Sequence, residues 1–143
     1  MTAFLIPVST LMLVFLGTAF AASQATPPAQ ATTLPDLAVV SQIEVRTADG
    51  AVVLAGQFGA ATTEDGETER EATLTAAGAV SGAKGTAEIE LTARGNQTER
   101  ELEVDVEGLP ANTAFTVVVD GQVLATVTTD AEGEAEIELK DVR

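Results

Sequence analysis

The sequence predicts an all-β domain, an antiparallel two-sheet β-sandwich of seven or eight strands, with a closed β-barrel as the alternative. Three observations carry that reading. Apolar and charged residues alternate at period two in several segments, Gly-containing turns divide those segments, and the i, i+3, i+4 spacing of a helix is hard to find anywhere.

Residues 1–22 hold no charged side chain, and 4–20 read FLIPVSTLMLVFLGTAF, an apolar run short for a membrane span. The run ends in Ala19-Phe20-Ala21, the small-x-small pattern after which signal peptidases cut, so 1–22 reads as a signal peptide. No Lys or Arg opens it, and an uncleaved N-terminal anchor is the alternative. Residues 23–35, SQATPPAQATTLP, contain three of the five prolines and no charge. Such a stretch buries too little to offset its ordering entropy and reads as a disordered Pro/Thr/Ala/Gln-rich tether. The acidic β domain is expected over 36–143.

Within it, strands at 43–46 and 51–58 flank Asp49-Gly50, and strands at 114–119 and 122–128 flank Asp120-Gly121. Both pairs suit a two-residue hairpin turn, because both residues tolerate positive φ. Glu132-Gly133 separates the latter strand from one at 134–139, and strands at 70–76, 83–92 and 98–107 lie between. The segment 99–107, ERELEVDVE, puts Leu102, Val104 and Val106 on one face and Glu101, Glu103, Asp105 and Glu107 on the other. The same arithmetic turns Ile89, Leu91, Ile137 and Leu139 inward and Glu88, Glu90, Glu136 and Glu138 outward. Antiparallel strands with one covered face are expected to read this way. The expected core is Val52, Leu54, Phe58, Leu74, Ile89, Leu91, Leu102, Val104, Val106, Leu109, Phe115, Val117, Val119, Leu124, Val127, Ile137 and Leu139. Thr68-Glu69-Arg70-Glu71 recurs as Thr98-Glu99-Arg100-Glu101, and Ala87-Glu88-Ile89-Glu90-Leu91 as Ala135-Glu136-Ile137-Glu138-Leu139. Their unequal spacing favours shared strand grammar over a fixed-period repeat.

Composition then limits the chemistry. Cys, His, Trp and Tyr are absent, which removes disulfides, thiol nucleophiles, Ser-His-Asp and Cys-His catalysis, and His- or Cys-ligated zinc. The 22 acidic and 7 basic residues give a net charge of −15, which disfavours nucleic acid and anionic membrane as partners of the mature domain. A glycosidase would need one carboxyl of raised pKa beside another across a cleft. Here the glutamates sit at outward strand positions, so no catalytic residue is assigned.

Two acidic turns have the oxygen-rich composition that calcium favours: Asp130, Glu132 and Glu134, and Glu64, Asp65 and Glu67. Neither has the spacing of an EF-hand, and an acidic β-turn is the alternative for each. If 83–92 pairs with 98–107 across the turn 93–97, outward carboxylates form rows on one face, a solvated surface or an attractor of cations or a basic partner. Asn96-Gln97-Thr98 is a formal glycosylation acceptor in that turn.

The segment Glu107-Gly108-Leu109-Pro110-Ala111-Asn112-Thr113-Ala114-Phe115-Thr116-Val117-Val118-Val119 resembles the E-to-F corner of fibronectin type III and related immunoglobulin-like domains. The resemblance implies a chain crossing from one sheet to the other, with Phe115 where the family has the Tyr of the corner hydrogen bond. Residues 115–139, FTVVVDGQVLATVTTDAEGEAEIEL, look like the closing hairpin and strand of small exported bacterial β-sandwich proteins of uncharacterised function. That likeness implies architecture and transfers no active site. The functional expectation is a secreted or periplasmic, non-catalytic module for adhesion, scaffolding or protein interaction, with an unidentified protein or cell-surface partner. A calcium-binding extracytoplasmic domain is the alternative; otherwise no cofactor is implied.

Overall fold

The computed structural model describes residues 29–30, 33–78 and 80–143. The expected leader and most of the expected tether therefore lie outside the described residues. Strands are β1 (Ala29–Gln30), β2 (Gln42–Thr47), β3 (Val52–Gln57), β4 (Thr62–Glu64), β5 (Glu67–Ala76), β6 (Lys84–Arg94), β7 (Gln97–Glu107), β8 (Ala114–Val119), β9 (Gln122–Thr128) and β10 (Ala135–Val142). All eight expected strands are present; the additional ones, β1 and β4, have two and three residues.

The strands form one antiparallel sheet in the order β1-β9-β8-β2-β3-β5-β6-β7-β10, with β4 paired to β5. Between β3 and β5 the ladder shrinks to Leu54↔Ala76 and Ala55↔Thr75. There the sheet turns a corner, so that β9-β8-β2-β3 and β5-β6-β7-β10 share one core. Near the two ends of this path, β9 and β10 approach each other where the loop 129–134 joins them. The result is an all-β, nearly closed barrel whose two halves have the strand grouping of a sandwich.

Turn chemistry sets the registers. Asp120-Gly121 (φ 45° and 82°) is the expected two-residue turn, and Asp65-Gly66 (φ 49° and 87°) is a second one. Asp49-Gly50 differs from expectation, because only Gly50 has positive φ, at 90°. Thr47 and Ala51 close a three-residue loop there, with the Gly50 N–H donating to Thr47 O at 2.9 Å. Between β6 and β7 the turn is Gly95-Asn96, with Arg94 opposite Gln97, shorter than the expected 93–97.

Bulges explain where the expected core slips. Val45 pairs with Leu54 and Arg46 with Val52, so Val53 is an extra residue and points inward at 4% exposure while Val52 is half-buried. Leu91 is likewise half-buried, packed against the core rather than within it. Leu124 is the extra residue of a second bulge, between the pairs Val117↔Ala125 and Val118↔Val123, and it too is buried.

Burial in the core includes part of the segment that precedes β2. Leu34, Leu37 and Val40 are buried in the core, and the segment 33–41 plugs one end of the barrel. Three arginines fasten it through backbone carbonyls. Arg100 Nη1 donates to Pro35 O at 2.7 Å, Arg70 Nη1 to Val40 O at 2.7 Å, and Arg143 Nη2 to Leu34 O at 2.9 Å. Arg70 and Arg100 are the equivalent positions of the recurring Thr-Glu-Arg-Glu, on strands that flank β6 on either side. Shared strand grammar here means a shared task.

Residues 108–113 carry the chain from β7 to β8, from one half of the barrel to the other. Phe115, 1% exposed, fills the core beside this crossing. The pinning hydrogen bond comes from Thr129, which is 2% exposed. Its hydroxyl donates to Pro110 O at 2.6 Å and accepts the Thr113 N–H at 3.1 Å.

Candidate functional site

The outer face of β5-β6-β7-β10 is the chain's most distinctive chemical surface. Its origin is the period-two pattern of four consecutive ladder partners, whose inward residues are mainly apolar and whose outward ones are mainly acidic. Register aligns them. Glu71 lies opposite Glu88, Glu88 opposite Glu103, and Glu103 opposite Glu138, one glutamate from each strand in a single row. The adjacent row runs Glu69, Glu90, Glu101 and then Lys140. On the other side run Thr73, Thr86, Asp105 and Glu136. Like charges directly opposite each other are unfavourable by some tenths of a kcal/mol or more per pair.

A few cations relieve the face locally. Lys140 Nζ sits 3.1 Å from Glu101 and 2.7 Å from Glu138, Lys84 Nζ sits 2.6 Å from Glu107, and Arg94 Nε lies 2.8 Å from Glu99. The carboxylates around Lys140 hold its ammonium above the ordinary lysine range. Crowding acts oppositely on acids. The Glu90 charge, with partial burial and Glu69, raises the Glu67 carboxyl. Partial burial together with Asp105, Glu136, Glu101 and Glu138 raises Glu103. By contrast, the outward charges of β2, Glu44 and Arg46, pair with each other, and β3, β8 and β9 carry none. The acidity is one-sided.

Beside these rows, an open groove of about 530 Å³ runs over Gly85 and Val106 and is rimmed by Thr86, Asp105, Glu107, Asp130, Glu134 and Glu136. Gly85 is there because a Cβ would run into the Asp105 carbonyl.

The candidate calcium turns have a different form from a cation cage. Asp130 Oδ1 accepts the N–H groups of Glu132 at 3.0 Å and Glu134 at 2.8 Å, so it organises its own turn. Glu132 and Glu134 are exposed. Glu64 and Glu67 flank the turn Asp65-Gly66 as an opposed pair, and with Thr62 and Glu69 they line a hollow of about 260 Å³. Among the described residues, no three carboxylates gather closely enough to hold a metal ion. Asn96 is exposed at the tip of the β6–β7 hairpin. Sequence reasoning found the rows on β6 and β7 but not their extension to β5, although Glu67-Thr68-Glu69-Arg70-Glu71 alternates as plainly.

Comparison with protein-family models, with curated proteins and with solved structures finds no match. The site's own chemistry carries the functional reading.

That chemistry sets a pH optimum. A carboxyl raised in the folded state, as in Glu67 and Glu103, gives stability that is complete below its unfolded value and lost as pH rises through the folded one. A lowered carboxyl gives stability that is complete above its unfolded value and lost as pH falls. Asp49 is lowered, mainly by the Thr47 hydroxyl. At Asp120 burial pushes upward, but hydrogen bonds from Gln42 and Ser41 outweigh it and the carboxyl is lowered. With ordinary values of 3.8 for Asp and 4.5 for Glu, the melting temperature is expected to peak between those values. Calorimetry across the acid range checks this. High salt should flatten the decline toward neutral pH by screening the rows, and a maximum at neutral pH would count against it.

Proposed function

We propose that this chain is a non-catalytic exported module for protein interaction, adhesion or scaffolding, which presents the β5-β6-β7-β10 face to a basic partner. The observation that carries the reading is the row Glu71, Glu88, Glu103 and Glu138. Aligned like charges raise the free energy of the folded state, and a cationic partner that neutralises them returns that energy on binding. The apolar leader supports export, and the absence of His and Cys supports a role without catalysis. The one-sided charge gives a partner an orientation as well as an attraction.

Isothermal titration with poly-lysine tests it. Glu88→Gln/Glu103→Gln should weaken binding severalfold, whereas Glu64→Gln/Glu132→Gln, with the same change in net charge, should leave it nearly intact. Equal effects of the two pairs would reduce the interaction to net charge and sink the assignment. The alternative is a calcium-binding domain that uses the acidic turns or the rows: calcium that binds only the native state must raise the melting temperature. No rise at millimolar-range calcium removes it.

A further inference from the structure

The hydrogen-bonded path ends in β1 and β10, and among the described residues no ladder joins β10 to β9 or to β1. Among the described residues β10 pairs with β7, and β9 with β8 and, at Ala125 and Thr126, with β1. The seam thus presents two strand edges. Open edges recruit further strands, and proteins blunt them with charge, proline or a bulge. β10 carries Glu136, Glu138, Lys140 and Asp141, whereas β9, QVLATVT, has neither charge nor proline and only the bulge at Leu124. The uncharged six-residue strands β3 and β8 are paired on both sides.

Among the described residues the cover on β9 is slight. β1 makes two residue pairs, Ala29↔Thr126 and Gln30↔Ala125. In the sequence β1 is preceded by Pro27-Pro28, and proline has no N–H to donate to a ladder. Val123, at the other side of the covered stretch, is 57% exposed.

We propose that the β9 edge accepts an extended segment of a partner protein, which displaces β1 and adds to the sheet as an antiparallel strand. β1 shows that this edge takes a strand in that direction. Main-chain hydrogen bonds supply the affinity and alternate side chains the specificity. Inward side chains of the incoming strand meet the buried Leu124, Ala125 and Val127, so they are apolar. Outward ones lie toward Glu136 and Glu138 across the seam, so they are Lys or Arg. A second copy is the wrong occupant, because two chains of net charge −15 repel and its N-terminal segment has the same proline limit. This rests on the interaction-module reading but not on the acidic face as the docking surface.

The probe is a fluorescent peptide of about four Lys-Val repeats, followed by anisotropy on the full chain. Binding should persist at about 0.5 M salt, and a Lys-Pro peptide of equal charge should not bind. Ala29→Pro/Gln30→Pro, which weakens the competing strand, should tighten binding by about fivefold. Val123→Lys, at an exposed position that leaves the core intact, should weaken it by about as much. If the β1 variant binds no tighter, or the Lys-Pro peptide binds equally, or no binding occurs, the seam proposal falls. Loss of binding on Glu88→Gln/Glu103→Gln alone would place the probe on the acidic face, keeping the interaction reading and overturning this one. A dimer at micromolar concentration that Val123→Lys dissolves would show a second copy as the occupant and overturn the proposal.

Discussion

Replacing Arg100 by alanine is expected to lower the free energy of unfolding by about 3 kcal/mol, measured by urea denaturation at neutral pH. Arg100 is 6% exposed. Its fork meets Asp141 through Nε to Oδ1 at 2.6 Å and through Nη2 to Oδ2, and its Nη1 holds Pro35 O at 2.7 Å. Removing one partner of a buried ion pair costs about 3–5 kcal/mol. The Asp141 side chain is 26% exposed and keeps Arg143 at 3.8 Å, so the lower end applies. Arg100→Lys should recover part of the loss, because an ammonium keeps the charge but not the planar fork. Hydrogen exchange should quicken over 34–41 in both variants, since the plug loses a fastening. A loss below about 1 kcal/mol would mean that Pro35 and Asp141 are satisfied by solvent.

Gly133→Ala is expected to be comparably damaging, about 3 kcal/mol or more. Gly133 has φ 83°, where an L-residue is strained, and a Cβ there would run into the backbone carbonyl of Leu109. The Leu109 N–H donates to Gly133 O at 3.1 Å, so the loop between β9 and β10 is stitched to the crossing that leads from β7 to β8. A shift at either strand of that contact disturbs the other. Gly121→Ala is the control: its φ of 82° carries the same backbone strain, but nothing lies within 4 Å of the added atom. The difference between the two melting temperatures isolates the steric contribution. Equal melting temperatures would show that backbone strain alone accounts for both.

How much of this was legible in the sequence depended on whether neighbours along the chain or across it decide the outcome. The strand over Gln97–Glu107 is legible because one face is buried, so its alternation is forced. Gly95-Asn96 was read too long because the alternation fades toward Arg94 and Gln97, although the ladder continues to both. The plug was missed because Leu34, Leu37 and Val40 follow neither period, and their burial is created by strands distant in sequence. Val52 was exchanged for Val53 by a bulge, which no single-strand pattern reports.

The acidic face divides in the same way. Outward Glu88 and Glu103 follow from local alternation, but their place in a four-strand row depends on the β5 and β10 registers, which are set non-locally. Asp130 looked like a cation ligand by composition. Only the fold shows its Oδ1 already committed to two backbone donors.

The fastenings of the barrel end have a kinetic consequence. Leu34 O is held by a residue 109 positions later, and Pro35 O by one 65 positions later, which in turn leans on Asp141 a further 41 along. Contacts of such separation form only after large loops have closed, so they reward the chain late. A nascent chain therefore holds its plug segment from early on with nothing yet to receive it. In refolding, protection of 34–41 is expected to trail that of the local β6–β7 hairpin.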